Sequence, residues 1–121
     1  MTKRILIAED FETLSKLIRN SLQSLDVEFV EAVDGNEAIS TAQTVHPDLI
    51  IMDVSMPKVN GYEATRAIKN DPATCHIPVL ILTATGDASD ATEAGADAYL
   101  AKPYRPADLK DRVVALLERK P

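Results

Sequence analysis

The chain carries one cysteine, Cys75, in 121 residues. A lone thiol cannot close an internal bridge, so a disulfide scaffold is excluded and a reduced, cytosolic setting is the simplest expectation. Positive charge is also short. Lys and Arg total 13 against 19 Asp and Glu, a net charge of −6, which argues against the basic face that nucleic acid or an anionic membrane attracts. No apolar run reaches transmembrane length. Met1-Thr2-Lys3-Arg4 leads into only four apolar residues before Glu9, too few for a signal peptide. No repeat, linker or low-complexity segment is present. What remains is an ordinary apolar fraction of 45% and a length that suits one domain, residues 1–121, soluble and intracellular. The last helix predicted below ends near the last residue, so a separate output domain is not expected.

Short apolar runs alternate with amphipathic stretches. Ile5-Leu6-Ile7-Ala8, Leu49-Ile50-Ile51-Met52 and Ile77-Pro78-Val79-Leu80-Ile81-Leu82 are continuous rather than alternating, as strands buried on both faces require. Phe29-Val30-Glu31-Ala32 holds a charge and suits an edge; Tyr99-Leu100-Ala101 is a brief fifth strand. Leu14, Leu17, Ile18, Leu22 and Leu25 recur at helical spacing and predict a core-facing stripe. Asp34 with Glu37, and Asn60 before Gly61, mark two further helix starts; His46-Pro47 stops the first of these. A short alanine-rich helix is predicted over about 88–94, stopped by Gly95. The last helix has Pro106 in its first turn and Leu109, Val113, Leu116 and Leu117 on one face. Five strands alternating with five helices predict an α/β fold, a doubly wound parallel sheet of order 2-1-3-4-5 flanked by helices.

The chemistry gathers where strands end. Glu9 and Asp10 follow the first strand, Asp53 the third, Thr83 the fourth and Lys102 the fifth. In doubly wound sheets these carboxyl ends share one edge, where ligands bind. Two unit charges about 4 Å apart repel by roughly 4 kcal/mol at an effective dielectric near 20. Three acids there must be protonated in part or neutralised by a hard cation. With oxygen ligands and no histidine or cysteine near these strand ends, Mg²⁺ fits better than zinc. A cation, a lysine and a central carboxylate are the equipment of phosphoryl transfer, with Asp53 as the candidate nucleophile.

These residues carry a resemblance over essentially the whole chain. Ile5-Leu6-Ile7-Ala8-Glu9-Asp10, Ile51-Met52-Asp53-Val54-Ser55-Met56-Pro57 with Asn60-Gly61, Leu82-Thr83-Ala84, and Gly95-Ala96-Asp97-Ala98-Tyr99-Leu100-Ala101-Lys102-Pro103 resemble the receiver domain of bacterial response regulators, chemotaxis regulators included. The resemblance implies a flavodoxin-like fold and a phosphorylation-dependent switch of two-component signalling. It implies a phosphoryl group on Asp53, accepted from a sensor histidine kinase or a histidine phosphotransfer protein. Mg²⁺ would be held by Asp10, Asp53 and the backbone carbonyl of Ser55, with Glu9 acting through water. Lys102 would pair with Asp53 and then with the phosphoryl group, Thr83 would hydrogen-bond a phosphoryl oxygen, and the Lys102-Pro103 bond would be cis. Small Ala84 would leave the site open to a donor. Thr83 moving inward would let Tyr99 turn from solvent towards the core and reshape the face that meets a downstream protein target. The chain would be a monomer, with dimerisation on phosphorylation open, and would catalyse only its own phosphoryl uptake and loss.

Departures from the family pattern carry their own expectations. Glu9 stands where aspartate is more frequent, and its extra methylene still reaches a metal-bound water. Ser55 and Thr85, at positions that tune phosphoaspartate lifetime, are neither acidic nor amide-bearing, so slow to moderate self-hydrolysis is expected. The stretch from Ala84 to Ala94 is about one helical turn (~3.6 residues) shorter than usual, and Ala88, Ala91 and Ala94 replace bulky anchors. A short, loosely held helix is expected there. Taken singly, these residues have plainer readings: an acidic pair in solvent for Glu9-Asp10, a strand residue for Thr83 or Tyr99. Lys58, Arg66 and Lys69 are expected to be solvated charges, and Cys75, His46 and His76 passive. Three rival functions fit these residues less well. A haloacid-dehalogenase-type phosphatase needs a second aspartate where Ser55 stands. A flavodoxin needs a hydroxyl- and glycine-rich phosphate loop where Glu9-Asp10-Phe11-Glu12 stands. A scaffold that never takes phosphate is countered by the intact set of Asp10, Asp53, Thr83 and Lys102.

Overall fold

A computed structural model describes residues 2–54, 60–83 and 88–118. The uninterrupted apolar runs form the sheet's interior: β1 (Lys3–Ala8), β3 (Leu49–Asp53) and β4 (Val79–Thr83), with every residue of β3 and β4 buried. β2 (Val27–Ala32), with its charged residues, and β5 (Ala98–Ala101) take the edges. All four pairings are parallel and the order is β2-β1-β3-β4-β5, as predicted. β4 starts two residues later than Ile77, since Pro78 offers no N–H to a ladder; Ile77 is buried all the same.

Among the described residues five helices cover the sheet: α1 (Glu12–Ser21), α2 (Gly35–Val45), α3 (Gly61–Asn70), α4 (Ala88–Ala94) and α5 (Pro106–Glu118). Local chemistry sets their ends. The Asp34 carboxylate accepts from the Glu37 N–H at 2.8 Å and the Asn60 side chain from the Glu63 N–H at 3.0 Å, each satisfying an otherwise orphaned donor. His46 at φ 51° and Gly95 at φ 90° end α2 and α4 in the left-handed region.

Because side chains alternate along a strand, the sheet has two apolar faces. Leu6, Ala8, Ile50, Met52, Val79 and Ile81 meet Ala38, Ala42, Ala64, Ile68 and Ala91 of the covering helices. On the other face Ile5, Ile7, Leu49, Ile51, Leu80 and Leu82 meet Ile18, Leu22, Leu109, Val113 and Leu116.

Two expectations need correction. Leu17 is 54% exposed, and α1 buries Ser15 and Ile18 instead. Ser15 turns inward because its hydroxyl donates to Glu31 Oε1 at 2.6 Å and accepts from Arg19 Nη1 at 3.2 Å, which leaves Leu17 on the outer side while Ile18 and Leu22 keep their place in the core. Lys69 is not a solvated charge. Its ammonium lies 2.7 Å from Asp97 Oδ2 and donates to the carbonyls of Ile77 at 2.7 Å and Cys75 at 3.2 Å. The same Asp97 oxygen accepts from the Val79 N–H at 2.8 Å, so this cluster clamps the α4–β5 turn to the start of β4. Lys58 lies outside the described residues.

Candidate functional site

β1 and β3 are neighbours, and their pairing of Ala8 with Met52 sets Glu9 and Asp53 side by side one residue further on. Glu9, Asp10 and Asp53 each present a carboxylate oxygen within 4.8 Å of the others. This is the separation on which the metal reading depends, and Asp10 and Asp53 meet it. Asp53 and Glu9 are 2% and 5% exposed, whereas Asp10 faces solvent. The Lys102 ammonium reaches Asp53 Oδ1 at 3.0 Å, and the Lys102 N–H donates to the Thr83 carbonyl at 2.8 Å, tying the fifth strand's exit to the fourth. The Lys102-Pro103 bond is cis, as expected.

Crowding of acids shows in their protonation. Burial first, then the hydrogen bond to Asp53 and its charge, push the Glu9 carboxyl from 4.5 to about 8, against the Phe11 N–H and Lys102, which favour the anion. At neutral pH this edge holds a proton that a cation would displace. A set of hard oxygen donors, one of them carrying a displaceable proton, fits a divalent ion such as Mg²⁺.

Gly61 explains why α3 can start where it does. A Cβ there would meet the Asp53 carbonyl oxygen and lie 2.8 Å from Val54 Cα, too close for any side chain. The Gly61 N–H donates to the Val54 carbonyl at 3.1 Å, fastening α3's first turn to the end of β3. Thr83 is buried at the end of β4, and Tyr99 is half-buried against the alanine-rich face, its carbonyl accepting from Arg112 Nη1 at 2.9 Å. Ser55, Ala84 and Thr85 lie outside the described residues, and with them the expected carbonyl ligand, the small residue at the site's opening and the two lifetime positions.

Sequence reasoning missed two tyrosines. The Tyr62 hydroxyl donates to Thr83 Oγ1 at 3.3 Å, a contact that no local pattern announces. Tyr104 follows the Lys102-Pro103 pair; burial first, then the charges of Asp53 and Glu9, raise its phenol above the usual value. It also lines a cavity of about 290 Å³ shared by Leu14, Leu17, Ile18, Glu9 and Lys102.

Comparison with known proteins agrees with this geometry. A family described as the response regulator receiver domain matches residues 5–114. The polar-differentiation response regulator DivK of Brucella ovis is 40% identical over 106 residues, covering 85% of this chain and 86% of DivK. PhoP, the alkaline phosphatase synthesis transcriptional regulatory protein of Bacillus subtilis, is 36% identical over 122 residues, covering 98% of this chain and 50% of PhoP. The chain thus spans about half the length of such transcriptional regulators. The receiver domain of a Pseudomonas aeruginosa sensor histidine kinase, solved with a magnesium ion coordinated in its active site cleft, superposes with a TM-score of 0.89 at 31% identity, covering 98% of this chain and 100% of that one. In sequence and in shape, then, the chain belongs to the response regulator receiver domains, the phosphorylation-dependent switches of two-component signalling.

Proposed function

We propose that Asp53 is the phosphoacceptor of this switch, loaded by a sensor histidine kinase or a histidine phosphotransfer protein and read out through contact with a downstream protein. One observation carries the assignment: of the three converging acids, the central, buried Asp53 is the one that pairs with a lysine among the described residues, at 3.0 Å. An Asp53 carboxylate oxygen attacks phosphorus while the bond from phosphorus to the donor's imidazole nitrogen breaks, and the electron pair leaves with that nitrogen. Lys102, already on Asp53, is placed to follow the growing negative charge, and Thr83 to donate its hydroxyl to a phosphoryl oxygen. Hydrolysis reverses the gain: water attacks phosphorus, the bond to Asp53 breaks and the carboxylate is restored.

Receiver domains bind Mg²⁺ in an acidic pocket. Here Asp10 and Asp53 would hold it directly, with the Ser55 carbonyl, and Glu9 through water; the ion supplies charge neutralisation for the acids and the phosphoryl oxygens. On this reading the chain catalyses only its own phosphoryl uptake and loss, and so is a switch rather than an enzyme. The cavity beside Glu9 and Lys102, walled by Leu14 and Leu17, suits the docking face of the phosphodonor protein. We read residues 1–121 as one domain, a monomer that gains a dimer contact on phosphorylation at most. Among the described residues no helix is long and apolar enough to cross a membrane, in keeping with a cytoplasmic site of action.

Incubation with Mg²⁺ and acetyl phosphate, followed by mass analysis, tests the assignment. Wild type gains one phosphoryl group, Asp53→Asn gains none, and chelation of Mg²⁺ abolishes labelling. Equal labelling of Asp53→Asn overturns it.

A further inference from the structure

Thr83 has a partner that the phosphorylation chemistry does not use. Its hydroxyl oxygen accepts from the Tyr62 phenol at 3.3 Å, across the gap between α3's first turn and the end of β4. The placement of this phenol is constrained at both ends. Gly61, the residue before it, is held so tightly against the Asp53 and Val54 backbone that the helix start cannot shift without moving the phosphoacceptor's own strand. The Tyr62 ring packs on the apolar cluster that contains Val79 and Ile81, and Thr83 continues that alternation two residues beyond Ile81. Tyr99 packs on the same cluster. Both tyrosines therefore share a face with the threonine between phosphoryl group and output surface.

A separation of 3.3 Å is long for a bond between hydroxyls, which prefer about 2.7–2.8 Å. The bond is therefore strong enough to bias a rotamer and weak enough to be given up for a dianion, since bonds to charged acceptors are roughly twice as strong as neutral ones. Resting on the reading of Asp53 as phosphoacceptor, we propose that Tyr62 is a positioning residue of the switch: its hydroxyl, donating to Thr83, holds that side chain in the unphosphorylated arrangement, and the phosphoryl group, accepting from Thr83, draws it to a different position. The ring does the packing and the oxygen sets the threshold. Removing the oxygen alone releases Thr83 and shifts the resting equilibrium towards the activated arrangement. A neutral hydrogen bond of ordinary net strength corresponds to a shift of about two- to tenfold.

The test uses the full chain with Mg²⁺ and beryllofluoride as the phosphoryl mimic, followed by the amide NMR signals of Thr83 and Tyr99. Tyr62→Phe keeps the ring, so its thermal midpoint stays close to wild type. The proposal expects it to bind the mimic about two- to tenfold more tightly, with the Thr83 and Tyr99 signals of the mimic-free protein displaced towards their mimic-bound positions. In a Thr83→Ala background, which lacks the accepting oxygen, the same Tyr62→Phe change has no effect on mimic affinity. Unchanged or weaker binding by Tyr62→Phe overturns the proposal, and so does an effect that survives in Thr83→Ala. Failure of the wild type itself to bind the mimic is a different result: it overturns the phosphoacceptor reading, and this proposal with it.

Discussion

The two faces of the sheet are covered in different ways. Under α1 and α5 the helices reach the strands with long aliphatic side chains, Ile18, Leu109, Val113 and Leu116. Under α2, α3 and α4 they do so largely with methyl groups, those of Ala38, Ala42, Ala64 and Ala91, with Ile68 of α3 the larger exception. A leucine-bearing helix stands off from the sheet and is anchored by dispersion spread over many atoms. An alanine-bearing helix lies close, and its stability rests on fit rather than on buried area per residue. Tyr62 and Tyr99, the residues proposed to carry the switch, belong to the second face. Rearrangement there displaces few large side chains, whereas the aliphatic face gives the sheet a rigid backing. On that proposal the difference assigns stability to one side and movement to the other.

Core truncation gives the largest expected effect. Leu109 is fully buried on the aliphatic face, and Leu109→Ala is expected to cost about 2–5 kcal/mol in urea denaturation, through lost transfer energy and the cavity left behind. On the alanine face the damaging change runs the other way. Ala64 is fully buried, so Ala64→Leu adds bulk to a packed site and is expected to cost about 1–3 kcal/mol. If Ala64→Leu is neutral while Leu109→Ala is costly, the alanine face has spare room and the contrast fails.

A second, smaller effect separates the acidic edge from both faces. Glu9 has a pKa of about 8 in the folded chain and 4.5 ordinarily. Between those values the folded protein binds a proton that the unfolded one has lost. Its contribution to stability is therefore complete below pH 4.5, falls as pH rises and is gone above about 8. With Mg²⁺ chelated, a loss of at most a few kcal/mol is expected between pH 5 and 8, and Glu9→Gln flattens it. Saturating Mg²⁺ opposes the loss by displacing the proton, so Mg²⁺ affinity rises over the same window and binding at pH 7 releases protons. Denaturation midpoints across pH, with Mg²⁺ and with chelator, read both; a flat chelator profile would refute the assignment to Glu9.

Much of this was legible in advance because it depends on period and order. Uninterrupted apolar runs marked β1, β3 and β4, and the residues ending the strands named Asp53, Thr83 and Lys102 as one group. Asp34 and Asn60 identified helix starts through a hydrogen bond made within three residues. What escaped depends on distances between elements. Tyr62 reaches Thr83 across 21 positions, and Lys69 finds Asp97 only once α3 and the α4–β5 turn are packed. Leu17 matched the helical stripe, but a satisfied Ser15 took the core side, a choice settled by Glu31 on the neighbouring strand. Periodicity reports which residues prefer burial; it does not report how a helix rotates when a polar residue finds a partner.

The smallest effect concerns α4, the shortest helix on the alanine face. Among its described side chains α4 buries those of Ala91 and Ala94, whereas α5 buries Leu109, Val113 and Leu116. Few buried atoms per turn predict a low free energy of local opening. Its C-terminal end has compensation, because Gly95 and Ala96 donate to the carbonyls of Thr92 and Ala91, and the Lys69–Asp97 clamp holds the turn that follows. Amide exchange is therefore expected to be faster in α4 than in α5 by about tenfold or more, the counterpart of roughly 1.4 kcal/mol. Lys69→Met, which keeps the stem and removes the ammonium, should widen that gap about fivefold further while leaving α5 unchanged, since a charge-assisted contact of this kind contributes on the order of 1 kcal/mol or more. Equal protection of α4 and α5 in the wild type would mean that close alanine packing secures a helix as firmly as leucines do, and the division between a rigid and a yielding face would not hold.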